Sequence, residues 1–514
     1  MTSPEATDEP STQAPTRAGR GLGKRMGSAS VIYVAGALVT NLAKFLLVPF
    51  YVRYLTQAEV GIVVFLQAVS YALARVYPLG LGQAIKRYYV DFEVERDADR
   101  FTAGIWWVVT AVAVALSVLL ILSVPLWGQY VGSQIKPSYL VLSILIAALQ
   151  GSATIPLMRY IVRQQPTANT VFTILQMVTI TGAIIYLVAG RGMGVEGVLW
   201  GQVIGYAAWA VISGVLINAP ARLKPTFGKL GEAFRYSIVL LPHLLFIWGI
   251  TFADRLVLES KVSLEALGVY GIGYQMGTLL TIVSISISNA WLAQFFRTGE
   301  TERGPRMFTT TFTTIFLLIL FISLGLFLFA PEIIAVVASR EYAGSVLILQ
   351  LVVIAHVFHA ANQFFMLPLF LVKKTKHIST STGLGLLANV VGLVVLVPWL
   401  GIVGAALATI MAYLAASGSS LYFAKRSYPV AVEWRKVGVG SAVAIGLGVV
   451  GGLVFNEPSV LGVLAKLGLC LAFPLALLGW PGESLVDRDA LSRLPLVGRL
   501  MPGASSRPPT ADAP

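Results

Sequence analysis

Long apolar runs alternate with short polar stretches along nearly the whole chain. Each run is about 20 residues, enough for a helix to cross ~30 Å of hydrocarbon. About 14 such runs are present, near 28–50, 60–82, 102–125, 138–158, 169–189, 195–217, 235–258, 267–292, 307–330, 343–371, 378–398, 402–424, 437–455 and 460–480. The runs are continuous and do not alternate with a period of two. That excludes a transmembrane β-barrel and leaves helices as the spanning form. The pattern predicts an all-α integral membrane protein with about 14 transmembrane helices.

Composition agrees. The 514 residues are 56% hydrophobic and only 12% charged, against roughly 25% charged in soluble domains. Residues 1–27 are polar, rich in Pro, Ser and Thr, and end in the basic cluster Arg17, Arg20, Lys24 and Arg25. No short apolar core precedes a cleavage site there, so the stretch reads as a disordered cytoplasmic tail and not a signal peptide. The single cysteine, Cys470, excludes an internal disulfide and a cysteine-based metal site, and no metal is expected.

A net charge of +13 could suggest nucleic acid, but its distribution argues otherwise. Lys and Arg gather on alternate loops, about 28 on one side against five on the other, a positive-inside bias. The poor side holds Arg53, Lys136, Arg191, Lys261 and Arg340. Both termini are therefore expected in the cytoplasm of a multi-pass membrane protein with no nucleic-acid partner. The outer loops are short, so the function should lie within the membrane.

Two motifs recur at one offset. Leu55-Thr-Gln-Ala-Glu-Val-Gly61 is echoed by Val262-Ser-Leu-Glu-Ala-Leu-Gly268, and Gly194-Val-Glu-Gly197 by Gly401-Ile-Val-Gly404. A shared offset of about 207 residues is the mark of an internal repeat. It spans six helices, so the halves share one orientation in the membrane, related by an axis along its normal. The expected organisation is a 1–27 tail, a six-helix bundle at 28–217, a cytoplasmic linker at 218–234 and a second six-helix bundle at 235–424. Appended helices at 425–480 and a cytoplasmic tail at 481–514 follow. Two similar bundles facing a central cavity can expose it to each side in turn by rocking. A transporter is expected, not an enzyme. A membrane polymerase or acyltransferase would need a sizeable outer loop or a His/Asp cluster near one interface, and neither is present.

Several stretches carry a family resemblance. FLLVPFYVRYLTQAEVG (45–61), LGLGQAIKRYY (79–89), FADRLVLESKVSLEALGVYGIGYQ (252–275), NAWLAQFF (289–296) and the 371–413 region resemble, in order and spacing, the Wzx-type polysaccharide flippases. These form the polysaccharide branch of the multidrug/oligosaccharidyl-lipid/polysaccharide exporter superfamily. The resemblance covers about 28–424. It implies translocation of undecaprenyl-pyrophosphate-linked glycans across the bacterial inner membrane for surface polysaccharide synthesis. It also implies membrane lipids and other polysaccharide assembly proteins as partners, no bound cofactor, and a proton or sodium gradient as energy source. The arginine cluster of the lipid II flippases is missing from the first helices. The alternative is a small-molecule or drug antiporter of the same superfamily, which would favour acidic cavity residues.

Few charges lie inside the spans, and each is a functional candidate. Lys44, at a depth where a lone charge costs about 3 kcal/mol, stands with Asn41 on one face of the first helix. Arg75 shares its face of the second helix with Tyr71 and Gln67. Lys44, Arg75 and Asn41 are expected to form a cationic cavity that takes a pyrophosphate. Asp254 and Arg255 are candidates for a gate or ion coupling: Asp254 is expected to meet Lys44 across the axis as an outer latch, and a residue in the place of the adjacent Arg255 is more often an anchor at the interface. His356 and His359, one turn apart, and His243 after Pro242 are candidates for ion coupling. Lys466 reads as peripheral.

Overall fold

The computed structural model describes residues 36, 39, 45–132, 134–221, 224–454 and 459–478. Every regular element among them is helical. The first half comprises α1 (Phe45–Tyr54), α2 (Gln57–Val76), α3 (Leu81–Tyr88), α4 (Glu95–Trp127), α5 (Pro137–Ala153), α6 (Ile155–Val162), α7 (Pro166–Ile185) and α8 (Gly194–Asn218). The second half comprises α9 (Leu230–Glu259), α10 (Leu264–Gly277), α11 (Leu279–Thr298), α12 (Gly304–Leu328), α13 (Ala330–Val337), α14 (Ser345–Leu371) and α15 (Thr375–Ser427). The appended pair is α16 (Trp434–Val454) and α17 (Val460–Leu478).

Among the described residues, twelve stretches are long and apolar enough to span a membrane, with α1 a shorter apolar helix beside them. One of the twelve, α15, is two helices joined at Gly401, whose φ of 55° and ψ of −129° are not helical. Counting α15 twice and adding α1 recovers the fourteen crossings expected from the apolar runs. The 1–27 and 481–514 tails lie outside the described residues.

The repeat motifs have equivalent geometry. Thr56 caps α2 in a capping box with Glu59, and Ser263 caps α10 by accepting from the Ala266 N–H at 3.2 Å. In each case the cap satisfies amides the helix start leaves free. In the second motif pair, Gly194 and Gly401 share a left-handed φ, 54° and 55°, a conformation that favours glycine.

Gly61 and Gly268 lie where α2 of the N-lobe (α1–α8) crosses α10 of the C-lobe (α9–α15). A methyl group on Gly61 would sit 1.9 Å from the Leu264 carbonyl oxygen, and one on Gly268 would sit 2.3 Å from that of Gln57. The two backbones touch because neither residue has a Cβ. This crossing lies at the end of the molecule that the charge bias assigns to the outside. At the same end Gln57 donates to the Glu341 carbonyl at 2.7 Å, and the Gly132 N–H donates to Glu259 at 2.6 Å.

The expected 218–234 linker is shorter, because α9 begins at Leu230. It is pinned: the Thr226 N–H donates to the Arg100 carbonyl at 3.0 Å. The 91–100 stretch, to which the sequence assigns no function, holds a buried ion network. Asp99 accepts from Arg159 at 2.8 Å and from Arg163 at 3.1 Å, and Tyr89 donates to the same carboxylate at 3.1 Å. Burial raises the Tyr89 hydroxyl pKa. The appended α16 packs on α12, with Gly440 against Leu317 and Gly451 against Leu328. Lys466 of α17 is not peripheral. It is 1% exposed and bound to Glu332 of α13 at 2.6 Å, since a buried ammonium requires a counter-charge.

Candidate functional site

A cavity of about 570 Å³ lies between the lobes, walled by α1, α2, α7 and α8 on one side and by α9, α10 and α11 on the other. Its α2 wall is Val64, Gln67 and Tyr71, spaced to share one helix face. Four glutamine amides reach it from four helices: Gln67 on α2, Gln176 on α7, Gln202 on α8 and Gln275 on α10. Tyr71, Tyr206, Phe252 and Tyr274 supply aromatic surface.

One charged side chain, Arg255 on α9, is among the lining residues. It is 7% exposed, and its guanidinium lies 4.2 Å from the Tyr274 ring centroid and 5.0 Å from that of Phe252. Such faces favour a desolvated guanidinium. Its Nη1 donates to the Thr251 carbonyl and to Asp254, both at 2.6 Å. Asp254 lies behind the wall, 1% exposed, and also accepts from the Tyr270 hydroxyl. The pair thus presents the cation to the cavity and keeps the carboxylate in the lobe.

The sequence model of the polysaccharide biosynthesis protein family matches residues 28–298. The chain belongs to this family. Among solved structures, the lipid II flippase MurJ in its inward closed conformation matches with a TM-score of 0.70 at 14% identity, covering 86% of this chain and 98% of that one. An inward-facing multidrug resistance transporter of the MATE family and MOP superfamily matches at 0.59 and 12% identity, over 80% and 99% of the two chains. An outward-facing one matches at 0.54 and 13%, over 78% and 95%. At these identities the likeness establishes the fold. No curated protein matches the chain.

In this polysaccharide biosynthesis family member the expected site residues fall in different places. Lys44 and Asn41 lie outside the described residues, so the cationic face assigned to them and the Lys44–Asp254 latch lie there too. Asp254 is engaged by Arg255 and Tyr270 of its own lobe. Arg255, expected to anchor at the interface, lines the cavity instead. The reason is that its long stem lets the guanidinium reach Tyr274 while still bonding its sequence neighbour. Arg75 follows Gln67 and Tyr71 on the same face of α2, but it is exposed and outside the cavity lining. It sits one turn, about 6 Å, beyond Tyr71.

In the C-lobe His356 is buried and His359 half-buried. The His356 Nδ1 lies 2.9 Å from the Thr281 hydroxyl, which lines the cavity. The His359 ring lies 4.7 Å from that of Tyr413. His243 is half-buried on α9, which continues through Pro242, and it is outside the cavity lining. Among the described residues no group of three or more His, Cys, Asp or Glu could hold a metal. The charge-centred reading of the spans named Gln67 only as a neighbour of Arg75 and passed over Gln176, Gln202 and Gln275. An amide within an apolar run was the signal that could have found them, since a buried amide is costly without a partner.

Proposed function

We propose that this protein translocates polyprenyl-pyrophosphate-linked oligosaccharides across the bacterial inner membrane by alternating access, for surface polysaccharide synthesis. The observation that carries the reading is the cavity's charge: among the described residues, the one charged group in its lining is the cation Arg255. A guanidinium stays charged wherever it sits and grips phosphate oxygens through a planar fork. Amides and tyrosines suit a hydroxyl-rich headgroup. A cavity of about 570 Å³ is in the range that encloses such a group, and the polyprenyl tail stays in the bilayer. Family membership supports polysaccharide biosynthesis as the pathway, and the fold shared with MurJ supports a lipid-linked cargo. The charge bias supports both termini in the cytoplasm. A drug antiporter would have to bind cationic cargo against Arg255 with no carboxylate in the described lining.

Native mass spectrometry of the purified protein tests this. Wild type should retain undecaprenyl-pyrophosphate glycans in preference to undecaprenol. Arg255→Gln should weaken that retention about 10-fold or more, the scale of a hydrogen bond to a charged group. Equal retention of undecaprenol by wild type would overturn the flippase reading. Full retention by Arg255→Gln would remove Arg255 from phosphate binding.

A further inference from the structure

We infer that cargo recognition is divided between the lobes: Arg255 of the C-lobe takes the phosphate, and Gln176 on α7 of the N-lobe reads the sugar. This rests on the flippase reading and goes further by assigning a specificity residue. The Nε2 of Gln176 is buried and has no hydrogen-bond partner among the described residues, although the side chain lines the cavity. Leaving such a donor unpaired costs about 1–3 kcal/mol, a cost the bound cargo can remove. An amide both donates and accepts, so both of its ends can pair with a hydroxyl or acetamide group, whereas a pyrophosphate, which can only accept, engages its N–H alone. Arg255 is the complement: it has five donors and no acceptor.

Two more amides in the lining, Gln67 and Gln202, also belong to the N-lobe. Among the described residues the N-lobe wall is therefore uncharged and amide-bearing, whereas the C-lobe wall holds the cation. A headgroup bound by both touches the two lobes at once. Cargo binding then depends on their separation, and a sugarless pyrophosphate lipid engages only one lobe.

The test is binding by native mass spectrometry with undecaprenyl pyrophosphate bearing no sugar, glucose, galactose or N-acetylglucosamine. Wild type should prefer at least one sugar-bearing lipid over the sugarless one by about 10-fold, one well-made polar contact. Gln176→Met is close in size and removes the amide. It should abolish that preference and leave the sugarless lipid bound as in wild type, with an unchanged unfolding temperature confirming the fold. A variant that keeps the preference overturns the assignment, as does a wild type with no preference among the pyrophosphate lipids. Loss of discrimination against undecaprenol is a different result, and it sinks the flippase reading itself.

Discussion

Arg255 shows how a membrane protein can keep a cation ready for cargo. Its charge is balanced by Asp254, its bulk is packed on Tyr274 and Phe252, and its stem is buried. Removing one member of a buried pair leaves the other uncompensated, at about 3–5 kcal/mol. Asp254→Asn should therefore lower the unfolding temperature clearly in detergent. Asp254→Asn combined with Arg255→Gln should recover most of the loss, because no charge is left stranded. If the double variant is no more stable than Asp254→Asn alone, the pair is not coupled as described. Tyr270 would keep a partner in either variant, since an amide oxygen still accepts its hydroxyl.

At the scale of elements, glycine does two jobs that the repeat motifs carry in parallel. Gly61 and Gly268 permit contact between backbones, while Gly194 and Gly401 turn the chain where one helix gives way to the next. Gly401, at φ 55° and ψ −129°, occupies a conformation that costs other residues about 1–3 kcal/mol. Gly401→Ala should destabilise by that amount in thermal unfolding. Gly418 of the same α15 has open space where its Cβ would go, so Gly418→Ala should be neutral or gain up to about 1 kcal/mol. If both variants behave alike, the break in α15 places no special demand on its backbone. The appended α16 and α17 are fixed on the C-lobe by the Lys466–Glu332 pair and by close glycine packing.

On the scale of the molecule, the α2–α10 crossing closes the cavity at the predicted outer end. There the two backbones meet directly, with two hydrogen bonds beside them. A side chain on Gly268 has no room while the lobes stay together. Gly268→Val should shift the population towards outward-open forms. In cells, with Cys470→Ser and Gln67→Cys as background, a membrane-impermeant maleimide added outside should label Gln67→Cys several-fold faster in the Gly268→Val protein. Unchanged labelling of a normally folded variant would show that the crossing is not the closure.

Much of this organisation was legible without coordinates. The solvent, the helix count and the two-fold repeat follow from apolar run length and from motifs at one offset, because hydrocarbon forces every backbone group into helical bonds. The importance of the Asp254–Arg255 dipeptide was also visible, since charges in hydrocarbon need a reason. Which of the two faces the cavity was not. Adjacent side chains on a helix point about 100° apart, and the choice depends on where Tyr270 and Tyr274 of another helix stand. Likewise Arg75 lies on the expected face but beyond the cavity, a question of depth that periodicity cannot answer. Lys466 looked peripheral because its partner Glu332 is far away in sequence. The sequence by itself determined the solvent, the helices and their pairing into lobes, which depend on local composition and spacing. Only the tertiary structure decided which polar groups meet, because those meetings join helices that the chain brings together over hundreds of residues.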